Sequence, residues 1–231
     1  KSSAASDVYK RQREYIESWV HEIKAPITAI ALNCENNRDE RSRYLLVENR
    51  KVENYVDMAL YYARMDAVYK DYMIAESNLQ EVAQQVLLQN KYYLIQSHVK
   101  AEVACPDTVY SDKKWIAFIL NQLIQNSVKY GRSEGTHIQI VTKKTKSGVL
   151  LWVKDDGIGI PKEELPRIFE KGFTGTNGRN RERSTGMGLY LCRKLCDKLN
   201  IEIRAESAEG KGTEIILMFP VSEYLTGYRE T

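Results

Sequence analysis

The feature that most constrains this 231-residue chain is an apolar seam close to its N-terminus. Ile16, Val20, Ile23, Ile27 and Ile30 follow a 4-3-4-3 spacing, which is typical of a helix in a coiled coil. A polar stretch at 33–40 predicts a turn, and one-sided apolar and aromatic positions from 41 to 66 predict a second helix. Because the apolar side of such a hairpin is too large to leave in water, we expect a dimeric four-helix bundle.

The rest of the chain has the mixed pattern of an α/β domain. Ser77 with Gln80 predicts a capping box at the start of a helix that ends near Ser97. Asp112 predicts the cap of a further helix, whose core face carries Trp115, Ile116, Ile119, Leu120, Leu123, Ile124 and Val128. Strands are predicted at 99–105, 137–143, 149–154, 201–207 and 213–219, with a turn at Ser147-Gly148, a mobile loop at 171–185 and a helix at 188–199. We therefore expect a mostly antiparallel sheet with helices on one face.

Composition excludes several classes of protein. The chain is 43% hydrophobic and 28% charged, which is ordinary for a folded protein, and its net charge of +3 gives no reason to expect a nucleic-acid partner. It has no apolar run of about 18 residues and no signal peptide, so we expect no membrane span within it. Its four cysteines lack zinc or disulfide spacing, and we expect them to be reduced residues of the core.

His21 is the first candidate for chemistry. It follows the seam position Val20 and is therefore turned about 100° away from the core face. An exposed imidazole on a rigid helix can act as a nucleophile, and the adjacent Glu22 can orient it or accept its other proton. Pro26 removes a backbone hydrogen bond and should bend the helix. Alone, however, a surface histidine on a helix is usually only a surface residue.

Polar residues on the predicted helix after Asp112 form a second candidate site. Gln122 and Asn126 are four residues apart and share a face, and their amide oxygens suit Mg²⁺ and its waters. Lys129 can reach a phosphate as a point charge. The alternative interpretation is the polar outer face of an amphipathic helix.

Two glycine-containing segments form a third candidate site. Asp155 ends a predicted strand, where its carboxylate can accept from an adenine amino group while Gly157 and Gly159 let the backbone approach the base. Gly186 and Gly188 precede a predicted helix, so free backbone N–H groups there can face phosphates. Each segment alone is also compatible with an ordinary turn.

Taken in order, these segments resemble those of sensor histidine kinases. The run HEIKAP at 21–26 is similar to the phosphoacceptor box, which implies that His21 is phosphorylated and Glu22 is the general base. NQLIQNSVKYG at 121–131 resembles the asparagine box, and DDGIGIP at 155–161 resembles the first glycine box of the Bergerat (GHKL) ATP fold. RIFEKGF at 167–173, the following loop with Arg179, Arg181 and Arg183, and TGMGL at 185–189 resemble the phenylalanine box, the ATP lid and the second glycine box.

The resemblance implies an α+β chain that uses ATP and Mg²⁺. Its implied magnesium ligands are Asn126 and Gln122, although Gln122 stands where another Asn is common. Its implied nucleotide-binding residues are Asn126, Lys129, Tyr130, Asp155, Gly157, Gly159, Ile160, Phe169, Lys171, Phe173, Thr185, Gly186, Met187, Gly188, Leu189 and Thr213. The domains predicted are a non-native or disordered leader at 1–12, a dimerisation and histidine phosphotransfer domain at 13–66, a linker at 67–76, an ATP-binding domain at 77–222 and a tail at 223–231.

Finer strings such as FTGTNGR resemble the bacitracin-sensor type of intramembrane-sensing kinase, which serves peptide-antibiotic responses. This implies a homodimer, a response-regulator receiver domain as partner, and an ABC transporter partner through membrane helices that precede the cytoplasmic core. Ala25 stands where kinases that are also phosphatases usually carry Thr or Asn, so we expect weak phosphatase activity. Glu17, Lys24 and Thr28 are candidates for regulator docking by position.

Two other functions compete with this interpretation. An ATP hydrolase of the same fold would carry a catalytic Glu one turn before Asn126, and residues 122–125 contain none. A dimeric scaffold that binds nucleotide only as a structural ligand would not need His21 and Asn126 together. Both alternatives are therefore disfavoured.

Overall fold

The computed structural model describes residues 2–37, 39–64, 73–176 and 185–221, with side chains of the first helix described at 15 and from 18 onward. The chain divides into two compact units, Lys1–Asp71 and Tyr72–Thr231. Residues 67–72 of the predicted linker, the predicted tail and the three loop arginines lie outside the described residues.

The first unit is the predicted helical hairpin. It consists of α1 (Ser2–Asn37) and α2 (Glu40–Arg64). Residues 2–12, expected to be a leader without structure, are helical, and the turn predicted at 33–40 is shorter because α1 continues to Asn37. Apolar side chains buried in the hairpin are Val20, Ile27, Cys34, Val47 and Met58.

Two polar contacts join the helices on the C-terminal side of His21. Asn49 Nδ2 on α2 donates to the carbonyl oxygen of Ile27 at 2.8 Å, and the Asn49 side chain is buried. Lys24 Nζ lies 2.6 Å from the Asp57 carboxylate. The two contacts flank Pro26, which lies inside α1, so α2 supports the region where proline interrupts the helical hydrogen bonding.

The outer side of the hairpin remains apolar. Ile30 is 47% exposed although it belongs to the predicted seam, and Trp19 is 52% exposed. On α2, Leu45, Val52 and Tyr55 are also exposed. The predicted seam residues therefore do not all lie in one interface. Val20 and Ile27 pack inside the hairpin, whereas Ile30 is exposed on its outer side.

The second unit is a five-stranded sheet with helices, preceded by a small two-stranded sheet. Its elements are β1 (Ala75–Asn78), α3 (Leu79–Gln89), α4 (Lys91–Gln96), β2 (Val99–Ala104), β3 (Thr108–Ser111), α5 (Lys113–Lys129), β4 (Thr136–Thr145), β5 (Gly148–Asp155), a 3-10 turn (Leu165–Arg167), α6 (Gly188–Lys198), β6 (Glu202–Ala208) and β7 (Gly212–Pro220). The main sheet has the order β2-β4-β5-β7-β6, with β2 and β4 parallel and the other pairs antiparallel. Within the described residues, no helix combines the length and apolar character that crossing a bilayer requires.

The helix caps decide where α3 and α5 begin. Asp112 caps α5 as predicted, accepting from the backbone N–H of Lys114 at 2.9 Å. The predicted Ser77 cap is wrong: Asn78 caps α3 by accepting from the N–H of Glu81 at 3.0 Å. Ser77 instead belongs to β1, which pairs with β3. The expected single helix to Ser97 is also divided, because Asn90 separates α3 from α4.

The sheet buries one face against the helices. Ile140, Val153 and Ile215 are register partners on neighbouring strands, and all three are buried. The core face predicted for α5 is confirmed, since each of its seven apolar residues is buried. Asp155 lies two residues after Val153 and therefore points to the same face, towards the layer between sheet and helices.

Candidate functional site

The site is centred on Asp155, the last residue of β5. Its Oδ2 accepts from Ser127 Oγ on α5 at 2.8 Å. Its Oδ1 accepts from the backbone N–H of Gly157 at 3.0 Å and of Thr213 at 3.2 Å. The carboxylate is thus held by groups from α5, the loop after β5, and β7. This fixes its direction more firmly than one hydrogen bond would.

Burial and hydrogen bonding shift the pKa of the Asp155 carboxyl group in opposite directions. Burial raises the pKa of its carboxyl group above the ordinary value, because a buried charge loses hydration. The hydrogen bonds from Ser127, Gly157 and Thr213 lower the pKa, and the neighbouring Asp156 carboxylate raises it slightly. The result is a raised pKa in a group that has three donors for its ionised form.

The loop after β5 passes very close to its neighbours. A Cβ on Gly157 would lie 2.5 Å from the Tyr130 carbonyl oxygen, and the N–H of Ile158 donates to that same oxygen at 3.0 Å. Gly159 has a φ of +70°, and a Cβ there would lie 2.0 Å from the carbonyl oxygen of Ala208. Only glycine fits at 159, because its backbone packs directly against the end of β6.

Ser207 on β6 joins two predicted site residues to this centre. Its Oγ accepts from the N–H of Ile160 at 2.9 Å and lies 3.0 Å from Thr213 Oγ1. Thr213 in turn donates its N–H to Asp155. The structure therefore brings Ile160, Thr213 and Asp155 together.

The first of the two candidate amide residues of α5, Gln122, faces the start of α6. Gln122 is 4% exposed, and its Oε1 lies 2.8 Å from where a Cβ on Gly188 would be. Asn126 is half-buried one turn later on the same helix face, and Lys129 and Tyr130 follow half-buried at the helix end. No three His, Cys, Asp or Glu side chains converge as a metal site among the described residues. A magnesium ion here would therefore depend on neutral amide oxygens and on phosphate, which are hard ligands that it accepts. Asn126 fits this role better than Gln122, because Gln122 packs against Gly188.

The second glycine segment is closed by a backbone contact. The N–H of Gly172 donates to the Gly186 carbonyl at 3.0 Å, and Gly186 has a φ of +64°. A Cβ on Gly186 would lie 2.3 Å from the Gly172 carbonyl carbon, so the two glycines touch. Met187 caps α6 without a side-chain hydrogen bond. The first N–H groups of α6, at Gly188 and Leu189, have no acceptor within the helix and can therefore face a ligand.

The phenylalanine-containing turn packs beside this segment. The Arg167 guanidinium lies 4.6 Å from the centre of the Phe173 ring. Phe169 and Phe173 are half-buried, whereas Lys171 and Thr185 are exposed. Thr185 Oγ1 accepts from the N–H of Met187 at 3.4 Å.

His21 and Glu22 lie in the helical hairpin and are both exposed, as the spacing from Val20 predicts. Two of the proposed docking side chains are engaged within the hairpin. Lys24 pairs with Asp57, and Thr28 Oγ1 donates to the Lys24 carbonyl at 2.9 Å. The side chain of Glu17 lies outside the described part of the chain.

Sequence reasoning missed Ser127 and Ser207. The sequence pattern could have identified Ser127. This serine lies four residues after Leu123 and seven after Leu120, and it interrupts the apolar stripe of α5. A polar residue on a buried stripe needs a partner. Ser207 shows no such pattern, since its partners Ile160 and Thr213 lie on another loop and strand.

Comparison with known proteins relates part of the second unit to a known family of domains. Residues 111–223 match the family model described as histidine kinase-, DNA gyrase B-, and HSP90-like ATPase, so this segment is a domain of that ATPase family. The predicted mixed α/β ATPase fold after a helical hairpin is thereby confirmed.

The most similar curated relatives that the comparison found are named as sensor kinases. Sensor histidine kinase YxdK of Bacillus subtilis (strain 168) is 32% identical over 207 residues, which are 89% of this chain and 64% of YxdK. Sensor protein kinase GraS of Staphylococcus aureus (strain JH1) is 36% identical over 212 residues, 89% of this chain and 60% of GraS. The chain thus spans less than two thirds of these curated relatives. Full-length ShkA in complex with AMPPNP shares the fold, with a TM-score of 0.63 at 20% identity over 90% of this chain and 45% of ShkA.

Proposed function

We propose that this chain is the catalytic core of a two-component sensor kinase. It uses ATP to phosphorylate His21 and passes the phosphoryl group to an aspartate of a response-regulator receiver domain. The observation that carries the proposal is the combination of an exposed His21 in an HEIKAP run on a helical hairpin with a site built on Asp155 in the following ATPase domain. A hydrolase or a nucleotide-binding scaffold would not need that histidine.

The Asp155 carboxylate accepts from the adenine amino group, while the backbone at Gly157 and Gly159 lies against the base. The N–H groups at Gly186, Gly188 and Leu189 and the Lys129 ammonium bind phosphate oxygens. Asn126 would hold Mg²⁺, with Gln122 beside it, and the ion would neutralise charge on the transferred phosphate. AMPPNP binding by ShkA supports the choice of an adenine nucleotide.

His21 attacks the γ-phosphorus through its unprotonated nitrogen. A nitrogen–phosphorus bond forms, the bond to the ADP oxygen breaks, and ADP takes the electron pair. Glu22 acts as the general base: it takes the proton from the other ring nitrogen, so that no positive charge remains on the phosphorylated imidazole. Because the protein contributes mainly position and charge neutralisation, an exposed histidine suffices as acceptor. The labile phosphohistidine then suits transfer to an aspartate.

The remaining parts of the proposal concern the whole protein. Residues 13–66 form the dimerisation and phosphotransfer domain, and the exposed apolar side of α1 and α2 supports a homodimer through a four-helix bundle. The resemblance of strings such as FTGTNGR to the bacitracin-sensor type supports a cytoplasmic core of a membrane-anchored kinase in envelope or peptide-antibiotic stress, and similarity to YxdK and GraS supports a sensor kinase. An ABC transporter would then be a partner through the membrane region.

Autophosphorylation with γ-labelled ATP and Mg²⁺ tests the proposal. Wild-type protein should acquire acid-labile, alkali-stable label, and His21→Ala should acquire none. Label that survives in His21→Ala would place the acceptor elsewhere. Release of labelled phosphate without labelled protein would favour a hydrolase.

The absence of a hydroxyl or amide at Ala25 allows a separate test of the reverse activity. Phosphorylated regulator should lose its phosphate only slowly in the presence of this protein and ADP. Rapid dephosphorylation would show that Ala25 is no obstacle.

A further inference from the structure

Ser207 carries a hydroxyl group whose hydrogen bonds fix the direction of a proton close to Asp155. Ser207 Oγ lies 2.6 Å from the carbonyl oxygen of Gly212 and accepts from the N–H of Ile160 at 2.9 Å. Its third neighbour is Thr213 Oγ1, at 3.0 Å. A serine hydroxyl has one proton to donate and two lone pairs that accept. These three contacts therefore use every hydrogen bond that this hydroxyl can form.

Only one arrangement of protons satisfies all three contacts. A carbonyl oxygen cannot donate, so the contact at 2.6 Å requires the Ser207 proton to point to Gly212. The N–H of Ile160 occupies one lone pair of Ser207 Oγ. The other lone pair must then accept from Thr213 Oγ1, because Ser207 has no second proton. The Thr213 hydroxyl therefore donates to Ser207 and can offer only its lone pairs to a ligand.

The lone pairs of Thr213 lie beside the carboxylate that is proposed to recognise adenine. Thr213 is the register partner of Asp155 on one side and of Ser207 on the other, so the three side chains form a row on one face of the sheet. Thr213 is half-buried, and Ser207 is the only partner of its Oγ1 within the described residues. In the same part of the chain, Asp155 Oδ2 accepts only from Ser127 and keeps a lone pair for a ligand. Asp155 and Thr213 thus present acceptors and no proton.

We propose that Ser207 is a positioning residue for selection of the base, an inference that deepens the proposed function and rests on it. By taking the proton of Thr213, Ser207 leaves two acceptors, Asp155 and Thr213, to face position 6 of a bound purine. The amino group of adenine has two N–H bonds to donate there. Hypoxanthine and guanine carry a carbonyl oxygen at that position, which would meet lone pairs with no proton between them. A site that offers only acceptors rejects such a base, because the polar groups on both sides lose their partners.

Inosine triphosphate is the probe for this inference. Its base differs from adenine by a carbonyl oxygen in place of the amino group and by a proton on N1. Titration calorimetry should show that the wild type binds ATP at least about tenfold more tightly than inosine triphosphate. In Ser207→Ala the Thr213 proton loses its acceptor and can turn to the carbonyl oxygen of the ligand. The ratio of the inosine triphosphate Kd to the ATP Kd should therefore fall by about threefold to tenfold, the effect of one neutral hydrogen bond.

The ratio of the two Kd values distinguishes this role from a merely structural one. Loss of the Ile160 contact in Ser207→Ala would weaken both nucleotides alike and leave the ratio unchanged. Ser207→Thr keeps the hydroxyl and should restore the wild-type ratio. Ser207→Cys, whose thiol is a weak acceptor, should lower the ratio in the same direction if the alanine variant is unstable. Ser133→Ala, at an exposed position after α5, is the control and should bind both nucleotides as the wild type does.

Thr213→Val tests whether Ser207 acts through Thr213. This variant lacks the hydroxyl whose proton Ser207 directs. Adding Ser207→Ala to Thr213→Val should therefore leave the ratio of the Kd values at that of Thr213→Val alone. A further fall of the ratio in the double variant would show that Ser207 acts by another route and would overturn the inference.

The outcomes separate this inference from the proposed function. If ATP binds to the wild type and is lost in Asp155→Asn, an unchanged ratio in Ser207→Ala would overturn the role of Ser207 and leave the nucleotide site in place. Equal affinity of the wild type for ATP and inosine triphosphate would also overturn it, with the nucleotide site intact. If the folded wild type binds neither nucleotide, the proposed function fails and this inference fails with it.

Discussion

Asp155 combines a buried position with a charge that the proposed recognition of adenine requires. Its raised pKa means that ionisation in the folded protein is less favourable than in the unfolded chain. The three hydrogen bonds to its oxygens oppose this penalty and aim the carboxylate. The buried Asp155 carboxylate is therefore expected to favour ligand binding while lowering the free energy of unfolding, a trade-off that is common in functional sites.

The substitution Asp155→Asn tests whether ionisation of Asp155 lowers the stability of the folded protein. Because the folded protein holds a proton on Asp155 more tightly than the unfolded chain, the free energy of unfolding falls as the pH rises through the raised pKa. The Asp155→Asn protein lacks this titration, so its stability relative to wild type should increase as the pH rises above 3.8, the ordinary Asp value. Urea denaturation without nucleotide over a pH series measures the difference. A difference that shrinks with pH would contradict the assignment.

The same variant should bind ATP poorly at neutral pH. It replaces a charged acceptor by an amide whose N–H₂ group can face the adenine amino group. The loss should be about 100-fold, or about 3 kcal/mol, which corresponds to one charge-assisted hydrogen bond in a buried site.

Ser127 donates a hydrogen bond to Oδ2 of Asp155, the oxygen that accepts no backbone N–H. Ser127→Ala removes the only side-chain donor to Asp155 that the described residues show, and the pKa of Asp155 should rise further. ATP affinity should fall about threefold to tenfold at neutral pH. It should also be lost at a higher pH than in the wild type as the solution is made more acidic. Ser133→Ala, an exposed serine after α5, is the control. Identical pH profiles in the three proteins would remove Ser127 from the site.

At the scale of elements, the predictions succeeded where a local pattern determines the structure. Asp112, the apolar face of α5 and the alternation in β4 and β5 each depend on residues a few positions apart. The cap at Asn78 was missed because β1 extends through Ser77 only when paired with β3, more than 30 residues later. Motif residues such as Asp155 and Gly186 were found through family resemblance, not through periodicity.

Gly186, which precedes α6, and Gly188, which begins it, should differ in their sensitivity to substitution. A Cβ on Gly186 would meet backbone at 2.3 Å in a left-handed conformation, whereas one on Gly188 would meet the end of the Gln122 side chain at 2.8 Å. Backbone cannot move aside as a side chain can. Gly186→Ala should therefore reduce ATP affinity by more than tenfold and Gly188→Ala by less, in a titration of the folded variants. The reverse order would mean that Gln122 is the more rigid neighbour.

At the scale of the whole molecule, the chain joins two units with different chemical tasks. In the proposed function, the hairpin supplies the nucleophile His21 and an apolar outer side for the dimer, and the second unit supplies the nucleotide site. Neither unit alone carries both the acceptor and the donor of the phosphoryl group. The predicted dimer also belongs to this scale, since the side of the seam that bears Ile30 has no partner among the described residues of the hairpin.

Ile30 and Ala29 offer a matched test of that dimer. Both are exposed on α1, but they are adjacent and so point about 100° apart. Burying an isoleucine contributes about 1.5–3 kcal/mol, and a two-fold interface contains it twice. Ile30→Glu should therefore weaken the dimer by about 100-fold or more, whereas Ala29→Glu, which adds the same charge, should leave it intact. Light scattering over a dilution series measures the mass, and ATP titration should show equal affinity in both variants, because the nucleotide site lies in the other unit. If both variants remain dimers at the lowest concentration, the interface lies elsewhere on the hairpin or in the second unit. If both are monomers, added charge and not the apolar surface controls association.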